Sequence, residues 1–148
     1  MIERFEKFHQ NIALAHKFIT KIKTVEMDKY GLKAANVMCL YFLGKNPDGL
    51  TPMQLCQLCG EDKAGISKSL TALREKNYIS ADDKGDKKYR IIYRITKDGN
   101  SVYEKINSTI VGVVNVVGTG LSDEERCIFY KSLDIIVSNL QSFYKTIE

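Results

Sequence analysis

Apolar residues near the start of the chain recur at alternating intervals of three and four positions. The series comprises Phe5, Phe8, Ile12, Ala15, Ile19 and Ile22. Because an α-helix has about 3.6 residues per turn, this spacing puts all six side chains on one face. A similar series stands near the end of the chain, at Phe129, Leu133, Ile136, Leu140, Phe143 and Ile147. The sequence therefore predicts a long helix at each end, with an apolar face suited to packing on another helix.

The pattern between these helices predicts two shorter ones. The first covers 33–44. The second begins after Thr51, whose hydroxyl can accept a hydrogen bond from the free backbone amide of Gln54. The Gln54 side chain can in turn accept a hydrogen bond from the Thr51 amide. Gly60 ends this second helix, because glycine readily takes the left-handed conformation found after helix ends. A short helix bounded by a capping box and a glycine is therefore expected.

A further helix follows almost at once and extends to about Lys76. Glu61 and Asp62 stand at its start, where acidic side chains are favoured by the helix dipole. Its inward face is predicted to comprise Ile66, Leu70 and Leu73, which fall within a narrow arc at 100° per residue. The periodicity then changes from 3.6 to 2, which predicts strands over 78–81 and 89–95 joined by a charged turn. The middle of the chain therefore reads as helix, turn, helix and β-hairpin.

The sequence predicts two more helix starts in the second half of the chain. Thr96 is placed to cap a helix beginning near Lys97. Its later part, 110–117, is rich in β-branched residues that favour strands, but the helical spacing continues without a turn. Gly118-Thr119-Gly120 ends it, and Ser122 with Glu125 forms a capping box for the last helix.

Length and composition set the broad class. The 148 residues are 44% hydrophobic and 27% charged, which fits one ordinary globular domain with a real core. No stretch approaches the roughly 18 apolar residues that a membrane span needs, and the start of the chain does not resemble a secretory signal. We therefore expect a cytoplasmic protein that does not bind membranes, with four cysteines present as thiols.

The positive charge is concentrated in one quarter of the chain. The segment 61–97 contains ten basic and six acidic residues, whereas the rest contains twelve of each. A basic segment on a neutral body indicates a surface for a polyanion such as nucleic acid, although an ordinary solvated face is the simpler alternative.

The order of elements is that of a winged helix-turn-helix, whose second helix can enter the major groove of DNA. Opposite its inward face, the predicted recognition helix carries Ala64, Ser67, Lys68, Thr71 and Glu75, and Lys63 stands at its N-terminal end. Ser67, Lys68 and Thr71 are the candidates for base edges, with phosphate contact by Ser67 or Lys63 as the alternative. Wing contacts to the minor groove or to phosphates are predicted for Lys84, Lys87, Lys88 and Arg90.

These features together resemble the MarR family of bacterial transcriptional regulators. The resemblance rests on Leu50-Thr51, on the recognition-helix run 66–73, on Lys76-Asn77-Tyr78-Ile79 and on Ile95-Thr96-Lys97-Asp98-Gly99, which matches the family's Leu-Thr-x-x-Gly. Gly31-Leu32 and the Asp86-Lys87-Lys88 wing tip also fit. Asn77 replaces the usual glycine, and Lys88 stands where arginine is common, so the planar fork of arginine is missing there.

The resemblance implies a mainly α fold of the α+β class and a homodimer. One MarR-like domain would cover 1–148, with dimerisation helices over 1–30 and 100–148 and a DNA-binding lobe over 32–98. The apolar faces of both terminal helices favour a dimer independently, because a winged lobe alone does not need them. A twofold dimer would bind double-stranded DNA at a pseudo-palindromic operator. The resemblance further implies a regulator that occludes a promoter as a repressor, with activation as the alternative. It also implies a small aromatic effector, in a cleft lined by His16, Met38, Tyr41 and Phe42.

The cysteines and histidines suggest other chemistry that the rest of the sequence does not support. Cys56 and Cys59 lack a second pair for a structural zinc site and an attendant histidine and acid for catalysis, so packing in the core is expected, with thiol-based redox sensing as an alternative. Cys39 and Cys127 are expected in the core as well. His9 and His16 share a helix face without a third metal ligand.

We therefore expect a DNA-binding regulator and not an enzyme, with no cofactor and no bound metal. A winged-helix scaffold that binds protein instead of DNA is the alternative from another class, and the basic wing speaks against it.

Overall fold

The structure, a computed structural model, describes residues 2–82 and 91–148 of the chain. Its helices are α1 (Ile2–Asp28), α2 (Asn36–Lys45), α3 (Pro52–Cys59), α4 (Lys63–Glu75), α5 (Lys97–Val117) and α6 (Asp123–Ile147), and its strands are β1 (Ile79–Asp82) and β2 (Ile92–Ile95). The predicted fold class is confirmed: a mainly helical winged helix-turn-helix with a two-stranded antiparallel sheet. The β-branched stretch at the end of α5 is helical, as its spacing predicted.

The helix boundaries follow from local chemistry. Thr51 and Gln54 form the predicted capping box of α3, and Gly60 ends that helix with φ +66°. Asp62 caps α4 by accepting a 2.7 Å hydrogen bond from the Gly65 amide. At the other end of α4 stands Asn77, with φ +58°. This left-handed conformation explains how asparagine can replace glycine there, because its short polar side chain tolerates it.

The sheet is small and joins three parts of the chain. Ile79 pairs with Ile95, and Asp82 pairs with Ile92, at the two ends of the β1–β2 ladder. Leu50 adds a bridge on the outer side of β2, where its amide donates to the Tyr93 carbonyl at 3.0 Å and its carbonyl accepts at 2.9 Å. The wing is therefore tied at its base to the segment that precedes α3.

The chain divides into two compact units, Met1–Ser108 and Thr109–Glu148, and α5 runs from the first into the second. In the first unit, α2, α3 and α4 pack on one another. Their meeting faces are almost completely buried at Leu40, Leu43, Leu55, Ile66 and Leu73. Long α1 contributes one buried residue, Met27, near its end.

The second unit holds the end of α5 and all of α6. Ser122 and Glu125 form the predicted capping box, and the Arg126 guanidinium donates to the Gly118 carbonyl at 2.9 Å across the turn between the helices. No residue of α6 is buried. The prediction that Cys127 lies in the core is therefore wrong, because the helix that carries it has no covered face in the single chain.

Among the residues that the structure describes, no helix is both long and apolar enough to cross a membrane.

Candidate nucleic-acid interface

Helix α4 has one buried face and one exposed face. Ile66, Leu70 and Leu73 are buried as predicted. Ser69 is buried beside them, and its hydroxyl donates to the Ala35 carbonyl at 3.4 Å, which attaches the helix to the start of α2. The exposed face carries all five residues that the sequence nominated, namely Lys63, Ala64, Ser67, Lys68 and Thr71. The fold therefore brings the predicted recognition residues together on one accessible surface.

The exposed face of α4 has a definite hydrogen-bonding character. Thr71 donates its hydroxyl proton to the Ser67 carbonyl at 3.0 Å, so its oxygen and its methyl group remain for an outside partner. Lys68 and Lys63 form no ion pair with any acid of the described chain. Their full positive charge is therefore available to an anionic partner, because no internal ion pair has to be broken first.

Acidic groups surround the first turn of α4. The Asp62 carboxylate is occupied by its cap, whereas Glu61 is exposed. An added Cβ on Gly65 would lie 3.2 Å from Oε2 of Glu61 and 3.3 Å from Oδ1 of Asp62. Glu61 was not among the predicted site residues, although its position just before the helix was the available signal. A carboxylate there would be repelled by phosphates and could accept a hydrogen bond only from a base amino group.

The second predicted contact, the wing tip with Lys84, Lys87, Lys88 and Arg90, lies outside the described residues. At the base of the wing, Arg94 forms an ion pair with Asp82 across the hairpin. Arg94 is therefore engaged within the protein, whereas Lys63 and Lys68 of α4 have no ion-pair partner among the described residues.

Two of the thiols near α3 are poor nucleophiles. Burial raises the pKa of Cys39 to about 12, and the neighbouring Cys59 and Cys56 thiols add to the shift. Burial also raises the pKa of Cys59 to about 11, with Glu61 as a second cause. Because the thiolate is the reactive form, these shifts oppose redox sensing by either residue at neutral pH. Cys39 lies in the core as predicted, while Cys56 and Cys59 are half-buried.

The predicted effector cleft is only partly assembled in the first unit. Met38, Tyr41 and Phe42 are half-buried on α2, and the Tyr41 and Phe42 rings meet edge to face with centroids 5.5 Å apart. His16 is exposed on α1, and it shares no hydrogen bond or ring contact with these three in the described chain. Sequence reasoning missed Tyr103 of α5, whose ring centroid lies 6.0 Å from that of Tyr41.

Across residues 2–82 and 91–148, no group of three or more histidine, cysteine or acidic side chains is arranged to hold a metal ion.

Comparisons with known proteins show which family model the sequence matches and which structures the fold resembles. Residues 30–88 match the sequence model of the MarR family. Comparison with curated proteins gave no match. The fold is similar to that of a MarR protein from Peptoclostridium difficile, with a TM-score of 0.82 and 18% identity, covering 95% of this chain and 92% of that one. The resemblance to the MarR family that the sequence indicated is thereby confirmed.

Two further structures of similar fold were determined with DNA. A MarR-family regulator from Listeria monocytogenes, complexed with a 26mer DNA, has a TM-score of 0.80 and 17% identity, over 88% of this chain and 87% of that one. MepR from S. aureus, in a DNA complex, has a TM-score of 0.80 and 16% identity, over 89% and 97%. The chain thus has the fold of MarR-family transcriptional regulators over nearly its whole length.

Proposed function

We propose that this protein is a transcriptional repressor that binds a pseudo-palindromic operator in double-stranded DNA as a homodimer in the cytoplasm. The observation that carries the proposal is the exposed face of α4, where Ser67, Lys68 and Thr71 are accessible to solvent opposite a buried apolar face. An α-helix fits the major groove, and lysine and hydroxyl groups are suited to base edges and phosphates. Two structures of similar fold were determined with DNA, which supports double-stranded DNA as the partner.

The homodimer is supported by apolar surface on the terminal helices. Phe5 of α1 is 67% exposed, and Phe143 and Ile147 of α6 are 64% and 67% exposed. A soluble monomer rarely leaves such continuous apolar faces in water, and burying them in a second copy would recover about 25 cal/mol for each Å² covered. A twofold dimer would present two copies of α4 to successive major grooves.

The repressor would act by occupying a promoter, and a small aromatic effector would release it. The half-buried aromatic cluster of Tyr41, Phe42 and Tyr103 supports an effector of this class. The wing cations Lys84, Lys87, Lys88 and Arg90 complete the proposed interface as phosphate or minor-groove contacts. The domain division of the sequence, with the lobe over 32–98, forms part of the same proposal. The activity is binding and not catalysis.

The most informative test is selection of bound duplexes from a random DNA pool with the full-length protein. We expect an enriched inverted repeat whose half-sites are about one helical turn apart. Affinity should fall steeply with salt, with a log–log slope of about −0.9 for each phosphate neutralised. Absence of enrichment, together with a shallow salt dependence, would refute DNA binding and favour a protein-binding scaffold.

The role of α4 is tested by removing one lysine from the middle of its exposed face and, as a control, one from its C-terminal end. Lys68→Ala should weaken binding to the selected site by about 1–3 kcal/mol for each half-site and relax the base preference at one position. Lys76→Ala is the matched control, since Lys76 caps the C-terminal end of the same helix, two turns beyond Lys68. Equal losses for the two variants would show that α4 supplies general positive charge and does not read bases.

The dimer is tested by light scattering coupled to size exclusion. Phe143→Glu should produce monomers, because it places a charge in the proposed apolar interface. Met53→Glu on α3 is the control, since Met53 is similarly exposed, at 67% against 64% for Phe143, but lies outside both terminal helices. A monomeric wild-type protein would refute the homodimer without affecting the test of DNA contact.

A further inference from the structure

One threonine joins the end of α4 to the beginning of α5. The Thr96 hydroxyl donates to the Asn77 carbonyl at 2.7 Å and accepts from the Gly99 amide at 3.0 Å. The Thr96 amide donates to the Tyr78 carbonyl at 2.9 Å, and its carbonyl accepts from the Asn100 amide at 2.8 Å. Every main-chain and side-chain polar group of Thr96 is therefore used. Two of the bonds point to the end of α4 and two to the first turn of α5.

The end of α4 is built so that these carbonyls are presented outward. The Asn77 amide donates to the Arg74 carbonyl at 2.8 Å, and the Tyr78 amide donates to the Leu73 carbonyl at 2.9 Å. With Asn77 in the left-handed conformation, this pair of bonds is a Schellman turn, which satisfies the last carbonyls of the helix. The carbonyls of Asn77 and Tyr78 take no part in the turn, and Thr96 donates a hydrogen bond to each of them.

The two segments also touch through their backbones. Gly99 is buried in the first turn of α5, and an added Cβ there would lie 1.9 Å from the Tyr78 carbonyl oxygen. A side chain of any size at this position would push the two segments apart. The hydrogen bonds of Thr96 therefore span a contact in which the backbones meet directly.

We propose that Thr96 is a positioning residue for DNA recognition, which fixes the end of α4 to the first turn of α5 so that both move as one body. This inference rests on the proposed function, because α4 needs a fixed orientation only if its exposed face reads DNA. Base contacts depend on hydrogen-bond geometry within a few tenths of an ångström, so a helix free to tilt at its C-terminal end would lose them.

A simple cap of α5 is the competing role for Thr96, and it makes a different chemical demand. Capping needs only an acceptor for the Gly99 amide. The proposed link between the end of α4 and the first turn of α5, called the joint below, also needs a donor to the Asn77 carbonyl. Thr96→Asp retains the acceptor and is a cap at least as good as threonine. It removes the donor and places a carboxylate against a carbonyl oxygen. Thr96→Ser keeps both functions and is the matched control.

The experiment measures DNA affinity and hydrogen exchange for both variants of the full-length protein. We expect Thr96→Ser to bind the selected duplex within about threefold of wild type, and Thr96→Asp to bind roughly tenfold more weakly, as for the loss of one good base contact. Without DNA, the amides of Asn77, Tyr78 and Thr96 should exchange about tenfold faster in Thr96→Asp than in Thr96→Ser, because the joint opens more often.

The outcomes separate the joint from the proposed function. Equal exchange and equal affinity for the two variants would overturn the inference and leave Thr96 as a cap. Faster exchange in Thr96→Asp with unchanged affinity would overturn the positioning role. If the wild type binds no DNA while exchange still depends on the donor, the joint stands and the proposed function fails. Should Thr96→Asp not fold, Gly99→Ala opens the same contact from the α5 side while it keeps the residue-99 amide that Thr96 caps, and the same two measurements apply.

Discussion

Replacing Gly99 by alanine is the sharpest test of how closely α5 approaches the end of α4. The new Cβ would lie 1.9 Å from the Tyr78 carbonyl oxygen, 2.8 Å from its carbonyl carbon and 2.9 Å from Cγ1 of Ile95. Real Cβ atoms essentially never approach closer than 3.0 Å, so the two backbones must separate by at least the difference of 1.1 Å. The atom in the way is main chain, which cannot rotate aside as a flexible side chain can.

The loss of stability follows from two destabilising effects and one stabilising effect. Forcing a methyl group into a closely packed contact costs about 1–3 kcal/mol. Displacing the Tyr78 carbonyl weakens its bond from the Thr96 amide, which adds about 0.5–1.5 kcal/mol. The better helix propensity of alanine returns about 1 kcal/mol. We therefore expect Gly99→Ala to lower the free energy of unfolding by about 2 kcal/mol, roughly the middle of the combined range.

Urea unfolding followed by circular dichroism measures this value, at one fixed protein concentration because the proposed dimer makes stability depend on concentration. Gly65→Ala is the matched control in α4. Its Cβ would lie 3.2 Å from Oε2 of Glu61, which can rotate aside, and 3.3 Å from Oδ1 of Asp62, which needs to give by only a few tenths of an ångström and can keep its bond from the Gly65 amide. We expect that variant to be unchanged or up to about 1 kcal/mol more stable. If Gly99→Ala were as stable as Gly65→Ala, the close backbone contact would be refuted.

Three further predictions test other parts of the molecule. Iodoacetamide should label exposed Cys127 in the folded protein while buried Cys39, whose pKa is raised to about 12, reacts only on unfolding; mass spectrometry showing equal rates would contradict this. Glu61→Gln should strengthen binding to random DNA by up to about fivefold at low salt, because a charge repelled by phosphates is removed, and an unchanged or weaker affinity would place Glu61 away from the backbone. Hydrogen bonds from the backbone and side chain of Ser122 lower the pKa of Glu125. The capping box therefore stabilises α6 fully at pH values above the ordinary glutamate pKa, and this stabilisation is lost as the pH falls through the lowered pKa. Thermal melts from pH 6 to 3 should therefore depend less on pH in Glu125→Gln, which keeps an acceptor for the Ser122 amide but does not titrate, and parallel curves would refute the effect.

The elements and their caps could be predicted from sequence because each is encoded within a few residues. The Thr51 and Ser122 capping boxes, the Asp62 cap and the Gly60 stop all involve partners three or four positions apart. The recognition face could be predicted for a similar reason, since the positions of Ile66, Leu70 and Leu73 determine which side of α4 is buried. Short-range patterns were therefore sufficient to predict both the caps and the exposed face of α4.

What the sequence did not reveal depends on contacts between distant segments. The Leu50 bridge to Tyr93, the ring contact of Tyr41 with Tyr103 and the donation from Thr96 to Asn77 each join residues far apart in the chain. No periodicity records such pairs. Even so, the glycine of the Ile95–Gly99 motif was a signal, because a glycine inside a helix costs stability unless another backbone comes close.

Helix α4 is held at its start, its middle and its end, and this limits how DNA binding can be controlled. Its start is capped by Asp62, its middle is attached to α2 through Ser69 and its end is held by Thr96. Rotating α4 alone would break all three contacts and expose its apolar face, at a cost well above the 1–3 kcal/mol that an effector typically contributes to coupling. An effector of the proposed dimer therefore has to move whole winged lobes and change the spacing between two copies of α4, while each copy keeps the face that its own sequence built.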